Sequence, residues 1–293
     1  MKNINITFIN ENEEITKRGI PYGTQVCSLL ENFTLPSERI FAVRINNEVC
    51  PLDFELTYDA KIEAILDDSK EGSSVYRRSL CLLLASAAHS LFPSTRLLVG
   101  HSLDYGYFYT LDTENEISED MIFQIQEKMK SLVKKDIPII TESIAYENAV
   151  ALFENLGLTE TRRQLKFICN PTIKINSIND FCDIYFGPLV LSTGVLKTFE
   201  LKKYHNGFLL RFPKSSEPEK LTNFQDQPKL FEIYSKYKDW GKRINVTSAA
   251  SLNELVANRK INDFIDITET YQQKNISKIA SQIVEKKTVR VVL

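Results

Sequence analysis

Two polar, turn-rich interruptions constrain how this chain can fold. Asp67-Asp68-Ser69-Lys70-Glu71-Gly72-Ser73-Ser74 and the three-proline stretch 213–228 cut the apolar pattern into three parts with different periodicities. A chain of 293 residues is long for one small domain and suggests two or three: 1–67 and 68–212, followed by a mainly helical connector over 213–287 that is either a separate domain or a helical extension. The last six residues, 288–293, form an apolar strand-like run that stops abruptly. They read as the opening of a further domain in a longer protein.

The first part alternates with period two. In Ile4-Asn5-Ile6-Thr7-Phe8-Ile9 apolar and polar residues take turns, the mark of a half-buried strand, and Asn10-Glu11-Asn12 supplies a turn. Glu14-Ile15-Thr16 is a weak second strand. Pro21-Tyr22-Gly23-Thr24 predicts a helix over 25–30 with Thr24 as its N-cap. Phe41–Ile45 and Lys61–Leu66 read as further strands. A small β-grasp fits this order.

The second part opens with an apolar helix, predicted over 75–92 and stopped by Pro93. Strands follow at 95–100 and 105–111. Ser118 caps a strongly periodic helix with Glu119 and Asp120 in its first turn and Lys134-Lys135 in its last, as the helix dipole favours. The third part turns helical, with Ser251-Leu252-Asn253-Glu254 read as a capping box and 262–285 as one long helix. The fold class expected is α+β: a β-grasp, then an α/β module, then a helical connector.

Composition excludes several classes. The formal net charge is -2, which gives no global attraction to nucleic acid or to an acidic membrane. No apolar run reaches the ~18 residues that a spanning helix needs. Five cysteines, without a CxxC pair, argue against a disulfide framework and for a reducing, cytoplasmic setting. His89, His101 and His205 are scattered, so no metal-ligand spacing occurs. Gly241-Lys242 follows no glycine-rich loop, so there is no phosphate-cradling motif. We therefore expect no catalytic, cofactor or metal residues in this chain.

The densest polar cluster is Gly100 to Tyr109, where His101, Asp104 and Tyr109 stand near a tight turn. They form either a small-ligand pocket or a plain β-hairpin turning at Asp104–Gly106. The lysines at 128, 130, 134 and 135 either track a phosphate backbone or form a solvated helix face. Cys81 lies in an apolar run and reads as a small buried hydrophobe.

Two stretches carry a family resemblance. Residues 1–67 resemble the TGS module, a β-grasp. Leu91-Phe92-Pro93, Leu98-Val99-Gly100, Gly106-Tyr107-Phe108-Tyr109, Ile117-Ser118-Glu119-Asp120 and Asp183-Ile184-Tyr185-Phe186-Gly187-Pro188-Leu189 resemble the second additional domain of threonyl-tRNA synthetases. The resemblance implies an editing domain that hydrolyses mischarged tRNA with an HxxxH pair and a CxxxH pair. Those four positions fall here on Arg78, Leu82, Tyr185 and Leu189. Leucine cannot ligate metal or move a proton, and arginine stays protonated, so a degenerate editing pocket is expected.

The order of modules is also similar to the N-terminal half of bacterial uridine-kinase-like proteins of the phosphoribulokinase/uridine kinase family. That likeness implies a non-catalytic accessory region, with ATP and Mg bound by a following kinase domain that would also be its partner. A nucleoside or nucleotide effector in the altered pocket is a further expectation. The alternative is a stand-alone RNA- or tRNA-binding module derived from an aminoacyl-tRNA synthetase.

Overall fold

The structure is a computed structural model describing residues 2–9, 15–33, 35–113 and 116–287. The chain divides into two compact units: Met1–Thr159 with Asn170–Tyr234, and Glu160–Cys169 with Ser235–Leu293.

The first unit begins with β1 (Asn3–Ile9), β2 (Ile15–Pro21) and β3 (Thr24–Gln25), then short 3-10 helices at Val26–Asn32 and Ser37–Arg39. β4 (Ile40–Ile45), β5 (Glu48–Cys50), β6 (Glu55–Leu56) and β7 (Ala60–Leu66) complete a five-stranded sheet ordered β2-β1-β7-β4-β5, with β3 paired to β6 apart from it. β1 runs parallel to β7, and the other pairings in the sheet are antiparallel. The period-two pattern of β1 puts Ile4, Ile6 and Phe8 on one face, where they are buried with Val26, Leu29 and Phe33. Phe8 meets Phe33 edge to face at 5.4 Å.

The predicted helix over 25–30 is corrected to a 3-10 helix, and Thr24 does not cap it. Gly23, at φ +84°, turns the chain so that Thr24–Gln25 runs extended against β6. The Thr24 hydroxyl therefore donates back to the Pro21 carbonyl at 2.6 Å.

Helix α1 (Lys70–Leu91) begins after only a short turn. Its N-cap is Ser69, whose Oγ accepts from the Gly72 amide at 2.9 Å. The helix thus starts five residues before the sequence-based expectation of 75. Its first turn, Lys70 to Ser73, carries no apolar side chain, so an apolar pattern cannot register it. Among the contacts that tie α1 to the β-grasp, Tyr76 stacks on Phe41 at 5.8 Å, and Arg44 pairs with Glu71 at 3.1 Å.

β8 (Arg96–Ser102), β9 (Gly106–Asp112), helix α2 (Glu119–Lys135), β10 (Ile140–Ala145), helices α3 (Tyr146–Asn155) and α4 (Thr159–Leu165), β11 (Thr172–Ile178) and β12 (Phe181–Asp183) come next. β13 (Glu200–Tyr204) and β14 (Gly207–Arg211) join β9 and β8 in an antiparallel sheet ordered β13-β14-β9-β8. β10-β11-β12 form a second antiparallel sheet. α1 is the strut of this module. The buried Ser79 hydroxyl donates to the Val75 carbonyl and accepts from the Val190 amide, while the Tyr76 hydroxyl donates to and accepts from the backbone of Thr198. Ser118 caps α2 as expected, accepting from the Met121 amide.

Helix α5 (Pro228–Arg243) carries the chain from the first unit into the second, which also holds α6 (Ala249–Ala257) and α7 (Ile261–Lys286). The capping box of α6 lies three residues earlier than expected, between Ser248 and Ser251, since Ser251 is already helical. Trp240 stacks on Tyr271 at 4.3 Å, and Arg163 pairs with Glu254 at 2.6 Å. The strand-like run 288–293 and the turn at Asn10-Glu11-Asn12 lie outside the described residues. Among the described residues, no helix is long and apolar enough to cross a membrane.

Candidate functional site

The four positions singled out by the resemblance divide into two pairs. Leu82 and Leu189 are core side chains, 0% and 4% exposed, within the main apolar cluster around α1. Arg78 and Tyr185 are polar and surround one thiol. Cys81 lies three residues after Arg78, on the same helix face, within electrostatic reach of the Arg78 guanidinium and the Tyr185 hydroxyl. It accepts a hydrogen bond from the Tyr109 hydroxyl at 3.1 Å.

The loop 184–189 closes over this cluster. Gly187 adopts φ +105°, and a Cβ there would come within 3.0 Å of Arg78 Cζ, so glycine serves both the turn and the close approach. Arg78 Nη1 donates to the Pro188 carbonyl at 2.7 Å, and no carboxylate of the described residues pairs with this guanidinium. Phe186, beside it in the loop, is 77% exposed.

Burial dominates the electrostatics. It pushes the Cys81 thiol up, against the opposing hydrogen bond from Tyr109. It holds the Tyr109 and Tyr185 hydroxyls well above the ordinary phenol range. It also lowers the Arg78 guanidinium, which remains a cation at neutral pH. At pH 7 the four side chains present one cation, one thiol and two phenols, none of them an ionised base. Asp183 contributes the nearby carboxylate, and its side chain accepts from the Ile184 amide at 2.8 Å. Asp183 stands opposite Asn176 in the β11–β12 ladder. Asn176 is buried; its Nδ2 donates to Thr141 Oγ1 at 2.9 Å, while its Oδ1 has no hydrogen-bond partner.

The remaining pocket residues scatter. Tyr109 belongs to the Cys81 cluster, but His101 is exposed and stacks on Tyr234 at 5.8 Å. Asp104 sits at φ +50° in the β8–β9 turn. Its carboxylate accepts from the Gln225 amide at 3.3 Å and its own amide donates to Gln227, so it pins the 213–227 loop. The hairpin reading of this segment describes what is seen. Cys81 packs against the main apolar cluster, as a small buried hydrophobe would, and its i, i+3 spacing from Arg78 adds a polar neighbour on the same helix.

A cavity of about 190 Å³ opens elsewhere, lined by Arg39, Phe41 and Asp67 of the β-grasp and by Tyr76, Lys197 and Lys214. Among the described residues no group of three His, Cys, Asp or Glu side chains converges as a metal site would require. Of the lysines on α2, Lys130 is paired with Glu127 at 2.8 Å and Lys134 and Lys135 are exposed, a solvated face.

No family model matches the chain. It is similar to the threonine–tRNA ligase of Citrifermentans bemidjiense, with 24% identity over 246 residues, 83% of this chain and 38% of the ligase. The enzyme of Ehrlichia ruminantium is 29% identical over 171 residues, 58% of this chain and 27% of the ligase. That of Acidithiobacillus ferrooxidans is 31% identical over 163 residues, 55% of this chain and 25% of the ligase. The chain therefore spans between a quarter and two fifths of the length of these relatives. A threonyl-tRNA-synthetase-like module is supported, and with it the α+β arrangement of a β-grasp followed by an editing-like module; these relatives do not support a uridine-kinase-like parent.

Proposed function

We propose that this chain is a tRNA-binding module derived from a threonine–tRNA ligase, in which the editing pocket has become a site of recognition. One observation carries the reading: where the resemblance places proton-transferring and metal-ligating residues, the chain has Arg78 and Tyr185 near a protonated Cys81 and two leucines buried in the core. Hydrolysis of an ester bond needs a base or a metal-bound water, and these positions supply neither.

The groups that remain suit binding. Arg78 uses one guanidinium N–H on Pro188 and keeps others for a phosphate or a carboxylate, where charge-assisted hydrogen bonds are strong. Phe186 offers an exposed ring on which a base can stack, worth roughly 1–3 kcal/mol in single-stranded recognition. Because the net charge is -2, such binding rests on local contacts and should involve few phosphates.

Titration of a tRNA specific for threonine against the full chain at low and moderate salt tests this. Binding that weakens with salt, and that Arg78→Ala and Phe186→Ala each weaken about tenfold or more, is the expected result. Absence of binding at low salt would overturn the reading. Release of amino acid from a mischarged tRNA would overturn its non-catalytic part.

A further inference from the structure

The cavity of about 190 Å³ opens where four stretches of the first unit meet: the entry to β4, the β7–α1 turn with the start of α1, the segment before β13 and the loop after β14. Its walls are fixed by contacts that need no ligand. Phe41 and Tyr76 lie stacked, and the Tyr76 hydroxyl both donates to and accepts from the backbone of Thr198. Arg39 donates from Nε and Nη2 to Asp67 at 3.0 and 2.9 Å, and from Nη2 to Asp68 at 2.6 Å. Walls already bonded to one another lose little freedom when a small molecule enters.

Polarity is graded across the cavity. Phe41, Tyr76 and Pro213 are buried and Val195 is half-buried, which makes the interior apolar. Glu38, Lys197 and Glu219 are exposed and form a charged rim. Two of the other charged lining groups, Arg39 and Asp67, answer each other, and Lys214 rests over the Tyr105 ring at 4.7 Å. Among the described residues Lys197, Glu38 and Glu219 have no ion pair. A simple anion meets two carboxylates at this rim, and a simple cation meets Lys197. A molecule that carries an ammonium and a carboxylate at one end and hydrocarbon at the other answers both signs and fills the interior. A dry cavity of about 150 Å³ accepts benzene, so the space here admits a ring or a branched chain of that size.

We propose that this cavity binds a free α-amino acid with an aromatic or branched apolar side chain. The side chain lies against Phe41, Tyr76, Val195 and Pro213, the carboxylate meets Lys197, and the ammonium meets Glu38 or Glu219. Because the lining joins the β-grasp to the module that follows it, the bound amino acid ties the two together and stabilises the first unit. The proposal is independent of the tRNA reading, since Arg78, Tyr185 and Phe186 do not line this cavity.

Thermal unfolding of the full chain, with phenylalanine or leucine added up to about 10 mM, tests this. Either amino acid should raise the midpoint in a concentration-dependent way. Glycine, which has the charges without the hydrocarbon, should not. Phenethylamine and phenylpropionate, each lacking one of the two charges, should bind at least about fivefold more weakly than phenylalanine. Lys197→Glu, at an exposed position that leaves the fold intact, should weaken binding about fivefold, and Val195→Trp should fill the cavity and abolish the shift. Should Val195→Trp lose the near-ultraviolet dichroism of the folded chain, Lys197→Glu alone decides. No shift with either amino acid, an equal shift with glycine or the singly charged analogues, or binding indifferent to Lys197→Glu would each overturn the proposal.

Discussion

The two long helices of this chain, α1 with 22 residues and α7 with 26, place their side chains in opposite ways. α1 buries eleven residues, and α7 none. α1 passes under the β-grasp, packs on α2, and has strands of both later sheets near it, so its polar atoms are also recruited: Ser79, Tyr76 and Ser86 each bond to backbone outside the helix or across it. α7 has a few contacts along its first half, and Ile276 and Ile279 in its second are exposed. Most helical stability in proteins comes from tertiary packing of one face, so α1 is a structural element of the fold and α7 a helix with a face available to another molecule.

The sharpest way to break this comparison is to truncate a leucine of α1. Leu82 is 0% exposed and sits in the main core, at a position where the resemblance places a histidine. Leu82→Ala should destabilise the first unit by about 2–5 kcal/mol, the usual range for a buried leucine whose cavity closes only partly. Urea unfolding followed by near-ultraviolet dichroism measures it. A cost below about 1 kcal/mol would mean that the site is open and lines a pocket after all.

Removing a hydroxyl should cost less. Ser79 Oγ is the acceptor that satisfies the Val190 amide, linking α1 to the segment just past the Gly187 turn. Ser79→Ala leaves that amide without its partner in a buried place, a loss of about 1–3 kcal/mol. Hydrogen exchange should locate the effect: protection at Val190 falls further than at Val75, whose carbonyl merely loses a donor.

The same contrast governs how much was legible in the sequence. Strands with one buried face announce themselves by period two, which is why β1 and β7 were readable and the β-grasp order with them. Turn chemistry was readable where a side chain had one plausible partner, as at Ser118. It failed at Thr24, where the pairing of β3 with β6 set the backbone first, and at Ser251, where Ser248 three residues earlier supplied a better-placed oxygen. At the candidate site, local spacing could relate Arg78 to Cys81, since both lie on one helix. It could not bring Tyr109 and Tyr185 to the same thiol, because those contacts depend on β9 and on the loop after β12, 28 and 104 residues along the chain. Nor could it separate His101 and Asp104 from Tyr109: neighbours in one hairpin point to different surroundings when the strand alternates faces.

The smallest expected effect makes the comparison quantitative. Ile276→Ala removes as much hydrocarbon from α7 as Leu82→Ala removes from α1, yet 57% of Ile276 already lies in solvent and no core collapses around it. Alanine also favours helix by a few tenths of a kcal/mol over isoleucine, which offsets part of the lost contact. In dilute solution the second unit should therefore keep its stability within about 0.5 kcal/mol, read by the fluorescence of Trp240 in urea. A large cost in dilute solution would place Ile276 in a core of its own chain, and the contrast between α1 and α7 would disappear.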